Sequence, residues 1–215
     1  MRTKRSPFMQ SFDRLPQSLA IFPLPNVVLL PKANLPLNIF EPRYLNMVQD
    51  AMRSNQLIGM IQPREDSDPK ALCDVGCAGR ITHYRETDDA RLEIVLSGLC
   101  RFTVIEELPT VRGYRLVQPD WSTFAGDYEE QSVDQQVMGD FRGALNGYLT
   151  SQEIELDWDM MEKLDAGTMI SNLVMALPLA AAEKQRLVEA TTLEQRIRLF
   201  GALMETAQDK EATRH

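Results

Sequence analysis

The residues of this chain best equipped for chemistry are Cys73, Cys77, His83 and Cys100, and their spacing admits two uses. Cys73-x3-Cys77-x5-His83, with Cys100 following, could supply four zinc ligands. Structural zinc sites favour tightly paired cysteine knuckles, so the match is poor. A cysteine nucleophile with His83 as its base is the other arrangement, because imidazole titrates nearest neutral pH. The plain alternative is that three small thiols pack between strands. Asp157-x-Asp159-x-x-Glu162 gathers carboxylates but lacks the third ligand and the glycine turn of a calcium loop. None of the six lysines follows a glycine, and neither Gly-x-Gly-x-x-Gly nor Gly-x-Ser-x-Gly occurs. The expectation is therefore a chain without catalytic, cofactor-binding or metal-ligating residues.

One further spacing stands out. Gly139, Gly143 and Gly147 recur every four residues within a helical pattern that also carries Val133, Val137, Phe141, Leu145 and Leu149. Glycine inside a helix costs about 1 kcal/mol relative to alanine, so three of them call for a reason. Two readings follow: a helix packed on both sides, or a surface where a partner or a second copy approaches the backbone closely.

These residues sit in a chain of 215 residues that is 44% apolar and 25% charged, a composition that folds rather than stays disordered. The net charge of -8 is unevenly placed: residues 1–120 carry 15 Lys/Arg against 14 Asp/Glu, and residues 121–215 carry 8 against 17. That acidity disfavours nucleic acid as a partner, and the asymmetry suggests two structural regions. No run of 18 apolar residues is present, so no membrane span is expected. The basic Met1-Arg2-Thr3-Lys4-Arg5 start meets polar residues before an apolar core can form, unlike a signal peptide. With three cysteines in no disulfide pattern, the expected compartment is the cytoplasm.

The elements that must hold these residues divide the same way. Residues 1–17 read as a flexible arm, 18–121 as a β-rich unit, 122–132 as a junction and 133–208 as a helical unit. Seven of the twelve prolines lie in the first 42 residues, so Leu19–Phe22, Val27–Leu30 and Leu35–Leu37 predict short strands bounded by proline. Glu41-Pro42 opens a helix whose face is Tyr44, Met47, Val48, Ala51 and Met52. Strands are predicted at Leu57–Ile61, Arg80–Arg85, Arg91–Leu96, Arg101–Ile105 and Val111–Val117, with Ser97-Gly98 separating two of them and Pro63–Pro69 as a loop. Residues 153–165 fit either period, and their early carboxylates favour a helix N-terminus. Helices follow at Met169–Leu177 and Ala181–Ala190, and Thr191-Thr192-Leu193-Glu194 reads as the capping box of the last.

Several of these segments together resemble a known family. Phe22-Pro23-Leu24, Val28-Leu29-Leu30-Pro31, Leu35-Pro36-Leu37 and Ile39-Phe40-Glu41-Pro42-Arg43-Tyr44 resemble the N-terminal domain of the Lon ATP-dependent proteases. Gly76-Cys77-Ala78 and Gly98-Leu99-Cys100-Arg101-Phe102 look like later parts of the same pattern, as do Leu177-Pro178, Lys184-Gln185 with Leu187, and the Thr192–Leu199 stretch with Arg196. The resemblance covers roughly residues 18–205. It implies an α+β fold in which a β-barrel of the pseudouridine-synthase-and-archaeosine-transglycosylase (PUA) type precedes an α-helical bundle. It also implies recognition of unfolded or tagged polypeptide, with a separate protease or ATPase as an associate. The family's ATPase and Ser-Lys peptidase modules have no counterpart here, so proteolysis does not carry over. Within the signature, Glu41 and Arg43 could pair with each other or with other strands, and Phe40 and Tyr44 are expected in the core. Eleven methionines suit an adaptable apolar groove. Two other readings stay open: an RNA-binding PUA-like domain using Arg80, Arg85, Arg91 and Arg101, and a small-molecule enzyme using His83.

Overall fold

A computed structural model describes residues 11–64, 68, 70–110 and 112–212. Its strands are β1 (Leu19–Pro23), β2 (Asn34–Ile39), β3 (Leu57–Ile61), β4 (Val75–Glu86), β5 (Leu92–Leu108) and β6 (Arg115–Asp120). Its helices are α1 (Pro42–Arg53), α2 (Gln135–Ser151), α3 (Trp158–Met161), α4 (Ala166–Ala176), α5 (Ala181–Glu189) and α6 (Leu193–Ala212). The fold is α+β, with the sheet first and the bundle after it.

Neighbouring strands run β5-β4-β3-β1-β6, and β6 pairs back onto β5, which closes a five-stranded barrel. The one parallel pair among the described residues, β1 with β3, needs a long crossover, which α1 provides. β5 is long enough to serve two partners on one edge: its first half pairs with β2 and its second half with β6. β2 is therefore a flap on the barrel wall, with β5 as its only strand neighbour among the described residues.

Two predicted strands, Arg91–Leu96 and Arg101–Ile105, are thus one strand running through Ser97-Gly98. Glycine here is not punctuation. A Cβ on Gly98 would lie 2.0 Å from the Leu30 carbonyl oxygen, so the residue permits a crossing chain. That chain is the segment predicted as the strand Val27–Leu30, which forms no ladder. Its alternation is real, however. Val28 and Leu30 are buried among the helices, while Leu29 is buried in the barrel. A two-residue period also describes a connection pressed between two cores.

Other elements follow their sequence signals. Pro42 occupies the first turn of α1, and Tyr44, Met47, Val48 and Ala51 form its buried face. β6 begins at Arg115, later than the predicted Val111, which lies outside the described residues, as does part of the Pro63–Pro69 loop. Residues 153–165 contain a single helical turn, α3, capped by Asp157 on the Met160 amide. The chain leaves α2 through Glu153 at φ 54°, which breaks the helical path the carboxylates suggested. The last helix starts one residue later than predicted. Thr192 Oγ1 accepts from the Gln195 amide at 3.1 Å, so Thr192, not Thr191, is the N-cap.

The bundle core joins Phe141 on α2 to Phe200 on α6, with ring centroids 5.4 Å apart, and extends through Ile170, Val174 and Leu187. The glycine row faces away from it. Nothing outside the helix lies within 4 Å of a Cβ built on Gly139 or Gly143, whereas one on Gly147 would run into the Gln208 side chain. The helix is therefore packed on one side along Gly139 and Gly143, against the two-sided packing reading.

Candidate functional site

The Ile39–Tyr44 signature is a β2-to-α1 corner. Glu41 is the N-cap of α1, and its Oε2 accepts from Arg43 Nε at 2.9 Å, so these two residues pair with each other. The Arg43 guanidinium lies 4.5 Å from the Tyr44 ring centroid. Tyr44 is buried and packs on Phe22 with centroids 4.2 Å apart. Phe40 corrects the expectation: it is 61% exposed, with the Arg91 guanidinium 5.7 Å from its ring. It follows the last β2 residue, Ile39, whose own side chain is buried, so the core is already filled at this corner.

Beside this corner lies a cavity of about 710 Å³. Pro23, Arg43 and Tyr44 from the signature share its wall with Leu72, Tyr114 and Arg115. Leu24 lies just behind, partly buried against the barrel core. The turn before β6 is positioned by α1. Asn46 Nδ2 donates to the Arg112 carbonyl at 3.3 Å, Arg112 Nε pairs with Asp50 at 2.9 Å, and Gly113 takes φ 84°. Tyr114 then donates its hydroxyl to Asp50 Oδ2 at 2.9 Å. Burial pushes the Tyr44 phenol above its ordinary range, and burial followed by the Asp50 hydrogen bond does the same for Tyr114. Both rings therefore stay neutral and present apolar faces with a polar tip. Arg115 pairs with Glu107, and Lys70 and Asp68 complete a rim of mixed charge. Tyr114, Arg115 and Leu72 escaped the sequence reading because they come from a hairpin and a loop that only the fold brings to α1.

The Gly98–Phe102 segment does different work. Gly98 admits the crossing chain, and Phe102 is fully buried at the barrel centre, with Trp121 at 5.7 Å. Arg101 is 1% exposed and binds Asp127 through Nη2 at 2.7 Å and Nε at 3.0 Å. Its Nη1 donates to the Val188 carbonyl at 2.9 Å and also to the Ala190 carbonyl, while Nη2 reaches the Thr191 carbonyl at 3.3 Å. These are the last carbonyls of α5 and its exit, where a cation is favoured. The Phe124 ring lies 4.2 Å from the guanidinium. Arg101 is thus a bolt between barrel and bundle. Arg196, also buried, donates Nε to the Leu187 carbonyl at 2.9 Å. Burial and then the neighbouring Arg101 charge push its guanidinium pKa down to about 9.

Of the arginines Arg80, Arg85, Arg91 and Arg101, Arg101 is buried, Arg85 pairs with Glu93 and Arg91 with Asp89. The cysteine and histidine set does not converge. Cys77 and Cys100 are buried, Cys73 is partly exposed and His83 is exposed on β4. No group of three His, Cys, Asp or Glu side chains among the described residues is placed to hold a metal. Burial drives the Cys77 thiol well above its usual pKa and the Cys100 thiol up to about 12, with the Asp127 carboxylate adding to both. Near neutral pH the native protein is expected to react with a thiol reagent at Cys73 alone, and at all three cysteines after unfolding. The folded thiol pKa of about 12 exceeds the unfolded value, so this contribution is intact below the unfolded pKa of about 8.5 and is lost as pH rises toward 12. Thiol counts against pH, with parallel urea melts, check both parts.

The chain thus joins a closed barrel with a strand flap to a helical bundle through a buried arginine. The family model for the ATP-dependent protease La (LON) substrate-binding domain matches residues 18–206, and the chain belongs to that family. Lon protease 2 of Myxococcus xanthus is 27% identical over 206 residues, covering 89% of this chain and 24% of the relative. The Lon protease of Dictyoglomus thermophilum is 26% identical over 85% of this chain and 24% of its own length. The chain thus spans about a quarter of the curated relatives it matches. Among solved structures, a Lon N-terminal domain protein from Xanthomonas campestris aligns with TM-score 0.66 and 22% identity, over 86% of this chain and 97% of that one. The N-terminal domain of the Mycobacterium avium complex Lon protease aligns with TM-score 0.66 and 15% identity, over 87% and 98%. Both support the fold. No helix among the described residues is long and apolar enough to cross a membrane.

Proposed function

We propose that this chain is a non-catalytic module that recognises unfolded polypeptide, and that the cavity beside the β2–α1 corner receives it. The observation that carries this reading is the meeting of signature residues Pro23, Arg43 and Tyr44 with Tyr114 and Leu72 around one open cavity of about 710 Å³. Aromatic faces with polar tips accept varied side chains, and the mixed rim charges tolerate varied sequence. The family's description as a substrate-binding domain supports the same role. In this reading the barrel is PUA-like, and the module works in the cytoplasm, bringing bound polypeptide to a separate ATPase or protease.

The test uses reduced, carboxymethylated lactalbumin as a permanently unfolded probe and the native protein as its folded control. The unfolded form is expected to bind and the folded form not. Tyr114→Ala should weaken binding about tenfold, a usual loss for a central tyrosine. Equal binding of both forms, or an unchanged affinity for Tyr114→Ala, would overturn the assignment. A structured RNA that binds at low salt and displaces the probe would overturn it in favour of a phosphate-directed surface.

A further inference from the structure

Among the described residues, β2 has one edge without a partner strand. Its register on β5 places Asn34 opposite Ser97 and Ile39 opposite Leu92. Two observations say which residues turn toward β5. The Gly98 amide donates to the Ala33 carbonyl at 2.8 Å, which sets Ala33 and every second residue after it facing β5. Pro36 has no amide hydrogen and falls in the alternate set, where a proline must turn outward. The backbone groups of Asn34, Pro36 and Asn38 therefore point to the free edge, and all three residues are exposed. Leu35 and Leu37 face the core side and are only partly buried. Beyond the strand comes Phe40, 61% exposed, and then Arg43 and Tyr44 at the cavity.

We propose that the β2 edge captures an extended polypeptide by strand addition, and that the paired segment runs on past Phe40 toward the cavity. The inference rests on the polypeptide-binding reading and names how the backbone is held. Outward amides at Asn34 and Asn38, with carbonyls at Asn34, Pro36 and Asn38, match the two-residue repeat of an extended backbone and read no side chain. Apolar side chains at alternate positions of the captured segment extend the half-covered Leu35 and Leu37 surface. Pro36 removes the middle donor, which shortens the edge and guards against indiscriminate sheet growth.

The decisive variant is Asn38→Pro, which deletes one outward amide while copying the tolerated geometry of Pro36; Asn38→Ala deletes only the side chain. With carboxymethylated lactalbumin as probe, Asn38→Pro is expected to weaken binding about tenfold, through the lost bond and the ring's bulk at the edge, and Asn38→Ala to leave it within about twofold. Hydrogen exchange should show the Asn34 and Asn38 amides protected when the probe is bound. Urea melts of all three proteins establish that each variant folds. If the wild type binds and Asn38→Pro binds equally, strand addition is overturned while polypeptide recognition stands. If the wild type does not bind, both fall. Wild-type dimers that dissociate on Asn38→Pro would assign the edge to a second copy and overturn the proposal.

Discussion

Replacing Arg101 with methionine is expected to lower stability by about 3–5 kcal/mol, the range for removing one partner of a buried ion pair. Asp127, whose side chain is 3% exposed, would be left buried without its guanidinium. The carbonyls of Val188, Ala190 and Thr191 would lose their common donor at the same time. Arg101→Lys should recover little, because an ammonium cannot fork across a carboxylate and still reach carbonyls on the other side. Arg101→Met with Asp127→Leu should recover more than either single change predicts, since the stranded charge is gone. Urea melts of the three variants decide the matter. A loss below about 1 kcal/mol for Arg101→Met would show that the pair is not the bolt described.

Phe102→Ala is the second large effect, also about 3–5 kcal/mol, from lost burial and an unfilled space. The ring reaches to the backbones of β3 and β4: a Cβ on Gly59 would lie 2.9 Å from its tip, and one on Gly76 2.8 Å. Those glycines exist to admit the ring. Collapse around the smaller side chain is opposed by paired backbones on both sides. Nor can Gly76→Ala refill the space, because its Cβ would also lie 2.6 Å from the Met60 carbonyl oxygen. Phe102→Leu should cost markedly less. Equal losses for the alanine and leucine variants would argue that ring shape, rather than volume, matters at this position.

Much of the fold was legible because local signals and tertiary structure agree. Pro42 opens α1 and the Tyr44–Ala51 face is buried as its spacing implies. Thr192 caps α6 within one residue of the predicted position. The failures share a physical cause: a local pattern with two tertiary meanings. Ser97-Gly98 is turn chemistry in isolation, yet here the glycine makes room for a crossing chain. Val28-Leu29-Leu30 alternates like a strand because it faces two cores. Phe40 looked like a core residue by type and is exposed. Of the cavity wall, Pro23, Arg43 and Tyr44 were visible in the signature. Tyr114 and Arg115 carry no local mark of their role, which comes from a hairpin tied to α1 by Asn46 and Asp50.

The crossing chain also governs how the molecule can be taken apart. Val28 and Leu30 belong to the helical core although they precede almost every strand of the barrel. A cut at residue 121, where sheet gives way to helix, would strip the bundle of two core side chains and leave the barrel wearing them as an apolar spur. The seam between the halves in space is therefore not a seam along the chain, and neither half is a natural fragment. A pull on the barrel is therefore, mechanically, also a pull on the helices.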